Sequence, residues 1–201
     1  MNIEFLIEEE SAEAALHNLL PKILPSNVTF RLHNFRGKQN LLLQLPNRLK
    51  GYGPWLPPDW RIVVLIDEDR EDCKQLKERL ERMASEAGLV TKSQGRKFQV
   101  LNRIAVEELE AWFFGDIIAL NAAYPKTPVT LAHKKNYREP DAIKGGTWEA
   151  LERVLQTAGY YLGGLPKIEV ARNISQFMEP GRNRSQSFQV FKTGLHELIA
   201  I

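Results

Sequence analysis

Short apolar runs alternate with amphipathic stretches along the first two thirds of the chain. The run Ile3 to Ile7 is short, apolar but for Glu4 and partly β-branched, and it ends in Glu8, Glu9 and Glu10; it reads as a strand feeding a helix. Ser11 suits an N-cap, Glu13 lies where the helix dipole favours an anion, and Ala12, Ala15, Leu16, Leu19 and Leu20 form an apolar stripe ahead of Pro21. Val28 to His33 predicts a second strand. Gly37-Lys38 then opens a helix carrying Leu41, Leu42, Leu45 and Leu49, and Gly51 to Trp60 is rich enough in Gly and Pro to predict a loop.

Arg61 to Ile66, RIVVLI, is the clearest strand, with the unbroken apolar character of one buried on both faces of a parallel sheet. It stops at Asp67-Glu68-Asp69. From Asp72 the spacing Leu76, Leu80, Met83, Ala84, Ala87 is helical, with Gly88 placed to end it. Phe98 to Ala105 predicts a fourth strand, and a helix follows from about Val106 through Phe114. Four strands with interleaved helices predict an α/β fold, a three-layer, right-handed, Rossmann-like parallel sheet over residues 1–122. Beyond Tyr124-Pro125 the chain turns polar. It then shows three one-faced helical patterns, around Trp148–Leu155, Ile168–Phe177 and Phe188–Leu198, which predict a helical extension over 123–201 packed on the core.

Composition narrows the class. With 201 residues, 43% apolar and 26% charged, the chain can bury a core without staples, and its single cysteine, Cys73, excludes a disulfide framework or a zinc cluster. No apolar run is long enough to span a membrane and the N-terminus is acidic, so a cytoplasmic protein is expected, with no membrane partner. Net charge is +2 overall, yet residues 1–125 carry −2 and residues 126–192 carry +5. The acids gather early and the bases late.

In a parallel α/β sheet, ligands bind outside the carboxyl ends of the strands near a switch in strand order. Glu8 closes the first strand there, and Asp67 with Asp69 closes the third. In extended chain residues 67 and 69 project to one side, so both could face a hard cation such as Mg²⁺ or Mn²⁺, which prefers oxygen ligands. Strand-end acids also serve as helix caps or solvated side chains. The conjunction of a Glu and a D-x-D, each behind an apolar run, favours a metal site.

These residues resemble the Toprim domain, the topoisomerase–primase type of catalytic core, whose pattern is an apolar strand ending in Glu followed by a later strand ending in D-x-D. The matching strings are FLIEEESAE and VVLIDEDRED. With FRGKQNLL, EELEAWFFGD and RNRSQSF added, most of the chain is similar to a bacterial Toprim-like family labelled domain of unknown function 4276. Glu9 stands where many Toprim domains have Gly, which leaves open which of Glu8, Glu9 and Glu10 faces the metal; Glu8 fits the register. The resemblance implies a Mg²⁺- or Mn²⁺-dependent nuclease that hydrolyses phosphodiester bonds of DNA or RNA. Asp67 and Asp69 would hold the metal, Glu8 would be a ligand or general base, and Glu110 a further acidic residue. It also implies a defence or repair setting with an ATPase partner. No tyrosine is marked as the nucleophile that strand passage would require.

Lys38 lies at a Gly turn opening a helix and is a candidate phosphate contact, although neither the upstream Gly nor the Ser/Thr of a P-loop is present. Arg182 and Arg184 precede the last helix as candidate phosphate contacts, with Ser185 or Ser187 as its cap. Glu107 and Glu110 fall three apart on one predicted helix, with Glu107 and Glu108 expected on a solvated face. Two other readings stand beside the nuclease. One is a haloacid-dehalogenase-type phosphatase, weakened because its D-x-D belongs after the first strand; the other is a non-catalytic module docking through the aromatic stretch Tyr52 to Trp60.

Overall fold

The computed structural model describes residues 1–69 and 71–201; Arg70, which follows the D-x-D string, lies outside them. Four strands, β1 (Asn2–Ile7), β2 (Thr29–Asn34), β3 (Trp60–Asp67) and β4 (Val100–Ala105), form one all-parallel sheet in the order β2-β1-β3-β4. The fold is therefore the expected three-layer α/β architecture. Successive strand residues point to opposite faces, and the sequence splits accordingly. Ile3, Phe5, Ile7, Val63, Leu65 and Leu101 enter one core; Leu6, Ile62, Val64, Ile66 and Val100 enter the other. Both faces of β3 are apolar over Ile62–Ile66 because both are covered, and β1 departs from that pattern at buried Glu4, which meets His33 and Tyr52.

The second core is closed by α2 (Lys38–Tyr52) and α3 (Cys73–Glu86), through Leu41, Leu45, Leu49, Leu76 and Leu80. The first is closed by α1 (Glu10–Ile23) together with α4 (Glu110–Gly115), α5 (Ile117–Ala123), α6 (Thr147–Thr157), α7 (Lys167–Phe177) and α8 (Gln186–Ile199). The late helices complete the same hydrophobic layer as α1, so the extension is part of the core's cover. α5 crosses the expected boundary at residue 122. α7 lies along α1, where Asn18 Nδ2 donates to the Arg172 carbonyl at 3.0 Å and Lys22 Nζ to the Met178 carbonyl at 2.8 Å. α8 lies against β4 so closely that a Cβ at Gly194 would come within 2.4 Å of the Arg103 guanidinium.

Several local expectations change. α1 starts at Glu10, with Glu9 at the N-cap position, so Ser11 is a buried residue inside the helix whose hydroxyl donates to Glu9. Pro21 sits within the helix and does not end it. Asp72 caps α3, accepting from the Lys74 and Gln75 amides at 2.9 Å. β4 begins at Val100, two residues later than expected. The helix expected from Val106 through Phe114 begins only at Glu110, as α4, and a further helix not expected from the sequence, α5, follows Asp116, whose carboxylate caps it by accepting from the Ala119 amide at 3.2 Å. Of the two serines proposed as the α8 cap, Ser185 does it, accepting from the Phe188 amide at 3.1 Å.

Trp112 is the anchor joining α4 to α8. It is fully buried, its indole donates to Ser187 Oγ at 3.0 Å, and its ring meets Phe188 and Phe191 at 5.1 Å. Trp112→Ala should cost about 3–5 kcal/mol of stability, as large aromatic truncations do. Denaturant unfolding measures it, and a loss under about 1 kcal/mol would show that α8 is not integral to the core.

Candidate acidic site at the carboxyl edge of the sheet

The strand order reverses between β1 and β3. From β1 the chain leaves through α1 on one face, and from β3 through α3 on the other. A crevice outside the carboxyl ends of these two strands follows from that geometry. Glu8 and Asp67 are the residues at its rim. Glu8 Oε2 accepts from the Asp67 amide at 3.1 Å, bridging the ends of the two central strands.

Neighbouring loops are tied to this rim. The Gly37 amide donates to the Glu8 carbonyl at 2.7 Å, which brings the start of α2 over β1; Gly37 has φ +117°, a conformation open to glycine. The loops after β3 and β4 are bonded to each other, Glu68 N–H to the Ala105 carbonyl at 2.9 Å, Asp69 N–H to the Glu107 carbonyl at 2.8 Å, and Glu107 N–H to Glu68 Oε2 at 3.0 Å. Asp69 and Glu107 both take left-handed backbone, φ +54° and +61°.

That turn corrects two expectations. Beyond Asp67 the chain is no longer extended, so Asp67 and Asp69 do not present a matched pair of carboxylates; Asp69 turns to Lys38, with Nζ to Oδ2 at 3.1 Å. Glu107 is not on a helix with Glu110, since it occupies the loop before α4. Glu108 is no solvated side chain either: its Oε2 accepts from Thr147 Oγ1 at 2.9 Å and the Trp148 amide at 2.8 Å, capping α6.

Lys38 proves to be a clamp. Its ammonium donates to the carbonyls of Asp67 and Glu68, both at 2.8 Å, and pairs with Glu71 at 2.9 Å as well as Asp69. Burial alone would lower its pKa, but Glu71 and Asp69 outweigh it and hold the ammonium above its usual value. Arg182 likewise spends its guanidinium internally, donating through Nε to Asp116 Oδ1 at 2.8 Å and through NH2 to Oδ2 at 3.0 Å, while Arg184 donates to the Ala132 carbonyl at 3.1 Å.

Asp67 feels the charges of Glu110, Glu8 and Glu9, so these carboxylates lie near it at the carboxyl edge of the sheet. Glu110 is 1% exposed, and its Oε2 is buried with no hydrogen-bond partner. Burial raises its pKa to about 7, Lys167 opposing and Glu9 and Glu108 adding. Glu8 is also pushed up to about 7, by burial first and then by Asp69 and Glu9, against the Asp67 amide and Lys38. Asp67 lies well above the usual carboxylate range through burial and the charges of Glu110, Glu8 and Glu9. Lys167 answers them. Burial works against its charge, but Glu110, Glu9, Glu108 and Asp67 together hold it protonated, and its ammonium lies 4.7 Å from the centre of the Trp148 ring. Sequence reading missed Lys167, because only the packing of α7 on α1 brings it to residues far earlier in the chain.

The all-oxygen donor set and the orphaned Glu110 Oε2 suit a hard divalent cation in kind. Among the described residues, however, no three His, Cys, Asp or Glu side chains are gathered as a finished coordination group. Cys73 is a free thiol, raised in pKa by burial and by Glu68 and Asp72.

A Rossmann-like parallel sheet with an acidic crevice at its switch point is thus the class of protein that the fold and site define. The chain matches the family described as Domain of unknown function (DUF4276) over residues 7–196 and belongs to it. No curated protein and no solved structure shows significant similarity to the chain.

The raised carboxylates fix a pH dependence. A group whose folded pKa exceeds its unfolded value holds its proton more tightly when folded, so it favours folding below the unfolded pKa and loses that advantage as pH rises through the folded one. For Glu8 and Glu110 the window runs from about 4.5 to about 7. Melting temperature should fall across it, and Glu110→Gln should flatten the fall and be the more stable protein at pH 8. An unchanged pH profile in Glu110→Gln would remove Glu110 from the strained cluster.

Proposed function

We propose that this protein is a metal-dependent phosphodiesterase acting on nucleic acid, DNA or RNA, in the cytoplasm. The observation carrying this reading is the trio Glu8, Asp67 and Glu110 at the switch point, with two carboxyl groups poised near neutral pH and one buried oxygen without a partner. The likeness of FLIEEESAE and VVLIDEDRED to Toprim motifs supports it. Among the described residues no helix is long and apolar enough to cross a membrane. An ATPase partner and a defence role rest on the resemblance alone.

Asp67 and Glu110 would hold Mg²⁺ or Mn²⁺, which when bound supplies Lewis-acid polarisation of the phosphoryl oxygens. Glu8 is the general base. With a pKa of about 7 it is partly ionised at neutral pH and still basic enough to take a proton from water. The water oxygen then attacks phosphorus, the P–O bond to the leaving sugar oxygen breaks, and that oxygen is protonated from solvent. Lys167, facing Glu110, Glu9 and Asp67, adds fixed positive charge at the same crevice. Lys38 and Arg182 spend their charge inside the protein, so of the three basic residues singled out in the sequence Arg184 is best able to meet a phosphate.

Trp55, 56% exposed in the 51–60 stretch, favours a second reading, a non-catalytic docking module. Cleavage assays on short single- and double-stranded DNA and RNA with Mn²⁺, alongside titration calorimetry of Mn²⁺, separate the two. Glu8→Gln and Asp67→Asn should each reduce cleavage by about 10²-fold or more, and Asp67→Asn should weaken Mn²⁺ binding. Cleavage independent of both substitutions would overturn the assignment, and wild type inert toward metal and all four substrates would favour the docking module.

A further inference from the structure

The free edge of the sheet carries a second built surface. β2 pairs only with β1, so its outer edge is open, and a groove of about 1020 Å³ runs between it and the outward face of α2, formed by Asn40, Leu43, Gln44 and Asn47 at helical spacing. A recess of about 390 Å³ continues it, the two sharing His33, Asn47 and Arg48, and ends at Tyr52, Trp55 and Trp60.

The groove's charge is mainly positive, its one lining carboxylate being Glu4, which is buried and paired with His33. Arg31, Arg36 and Arg48 line the two recesses, and among the described residues no carboxylate lies within ion-pair distance of any of the three. Arg48 is held in place. Buried Glu4 pairs with His33 Nε2 and accepts from the Tyr52 hydroxyl at 3.2 Å, His33 Nδ1 meets Arg48 NH2 at 3.4 Å, and the guanidinium stands 5.3 Å from the Tyr52 ring centre. The ring accepts from Arg48 when its proton sits on Nε2, the tautomer that also donates to Glu4.

The lower end is aromatic. Trp55 stands 5.5 Å from Tyr52 and 6.0 Å from Trp60, centre to centre, and is the exposed member. The upper end abuts the acidic crevice: Arg36, at φ +57°, lies between Phe35 and Gly37, whose amides donate to the Ile7 and Glu8 carbonyls at 3.0 and 2.7 Å.

Cations that track a backbone, side-chain amides between them and a stacking platform at one end are what single-stranded nucleic acid requires; a duplex hides its base faces. We infer that single-stranded nucleic acid lies in the β2–α2 groove, its phosphates on Arg36 and Arg48 and an unpaired base on Trp55, threading toward Glu8. This rests on the phosphodiesterase reading for its direction, but binding is measured apart from cleavage.

The test is fluorescence anisotropy on the full chain without divalent metal, using labelled oligothymidylate and oligouridylate of roughly 12 nucleotides, the matching duplex, and poly-glutamate as competitor. Wild type should bind both single strands more tightly than the duplex. Arg36→Ala and Trp55→Ala, both at exposed side chains, should each weaken binding about tenfold with melting temperature unchanged, and Trp55→Phe should restore most of it. Arg36→Ala should also flatten the slope of log affinity against log salt by about 0.7. Equal binding by wild type and both variants overturns the groove while sparing the catalytic reading. So does competition by poly-glutamate as effective as by the oligonucleotide, which marks a site for acidic protein. No binding by wild type overturns the groove. Groove-dependent binding with no Mn²⁺-dependent cleavage leaves the groove standing and removes the phosphodiesterase.

Discussion

Three carboxylates in a partly dry crevice repel one another, and much of the carboxyl edge of the sheet is arranged to tolerate that repulsion. Glu8, Asp67 and Glu110 come from β1, β3 and α4, and burial together with neighbouring charge raises each above its usual pKa. Two lysines offset them from opposite sides. Lys38, from the start of α2, fixes the loop after β3 by taking its carbonyls, and Lys167, from α7, faces Glu110. Such strain persists only where surroundings over-determine it, and here the surroundings are two apolar cores and a set of mutually bonded loops.

The strands were legible because burial on both faces leaves an apolar run with no helical period; β3 stands out for that reason, and β1 does so despite Glu4. Helix ends were less so. Ser11 looked like a cap, yet the cap position falls two residues earlier, at Glu9, and puts Ser11 inside α1. The 106–114 stretch looked like one helix because EELEAWFF carries apolar residues without a strong breaker, and only the bond from the Glu107 amide to Glu68 shows that its first residues belong to the loop before α4.

At the site, strand-end carboxylates could be read from the chain, since topology brings strand ends to one edge. Their geometry could not. Whether Asp69 faces Asp67 or Lys38 depends on one left-handed residue, and Lys38 gave no sign in sequence of being a clamp. Lys167 is the clearest omission, because its neighbours Glu9 and Glu110 lie far away in the chain and only the packing of α7 on α1 joins them.

That packing has a consequence for synthesis. α1 packs on the sheet and also against α7 and, less extensively, α8, which come far later in the sequence. At the usual rate of translation, about 5–20 residues per second, α1 emerges on the order of ten seconds before those two helices do. During that interval Leu16, Leu19 and Leu20 can pack only on the strands already made, beginning with β1, while the rest of the first core is still missing, so the growing chain is exposed to premature association with its neighbours on a polysome.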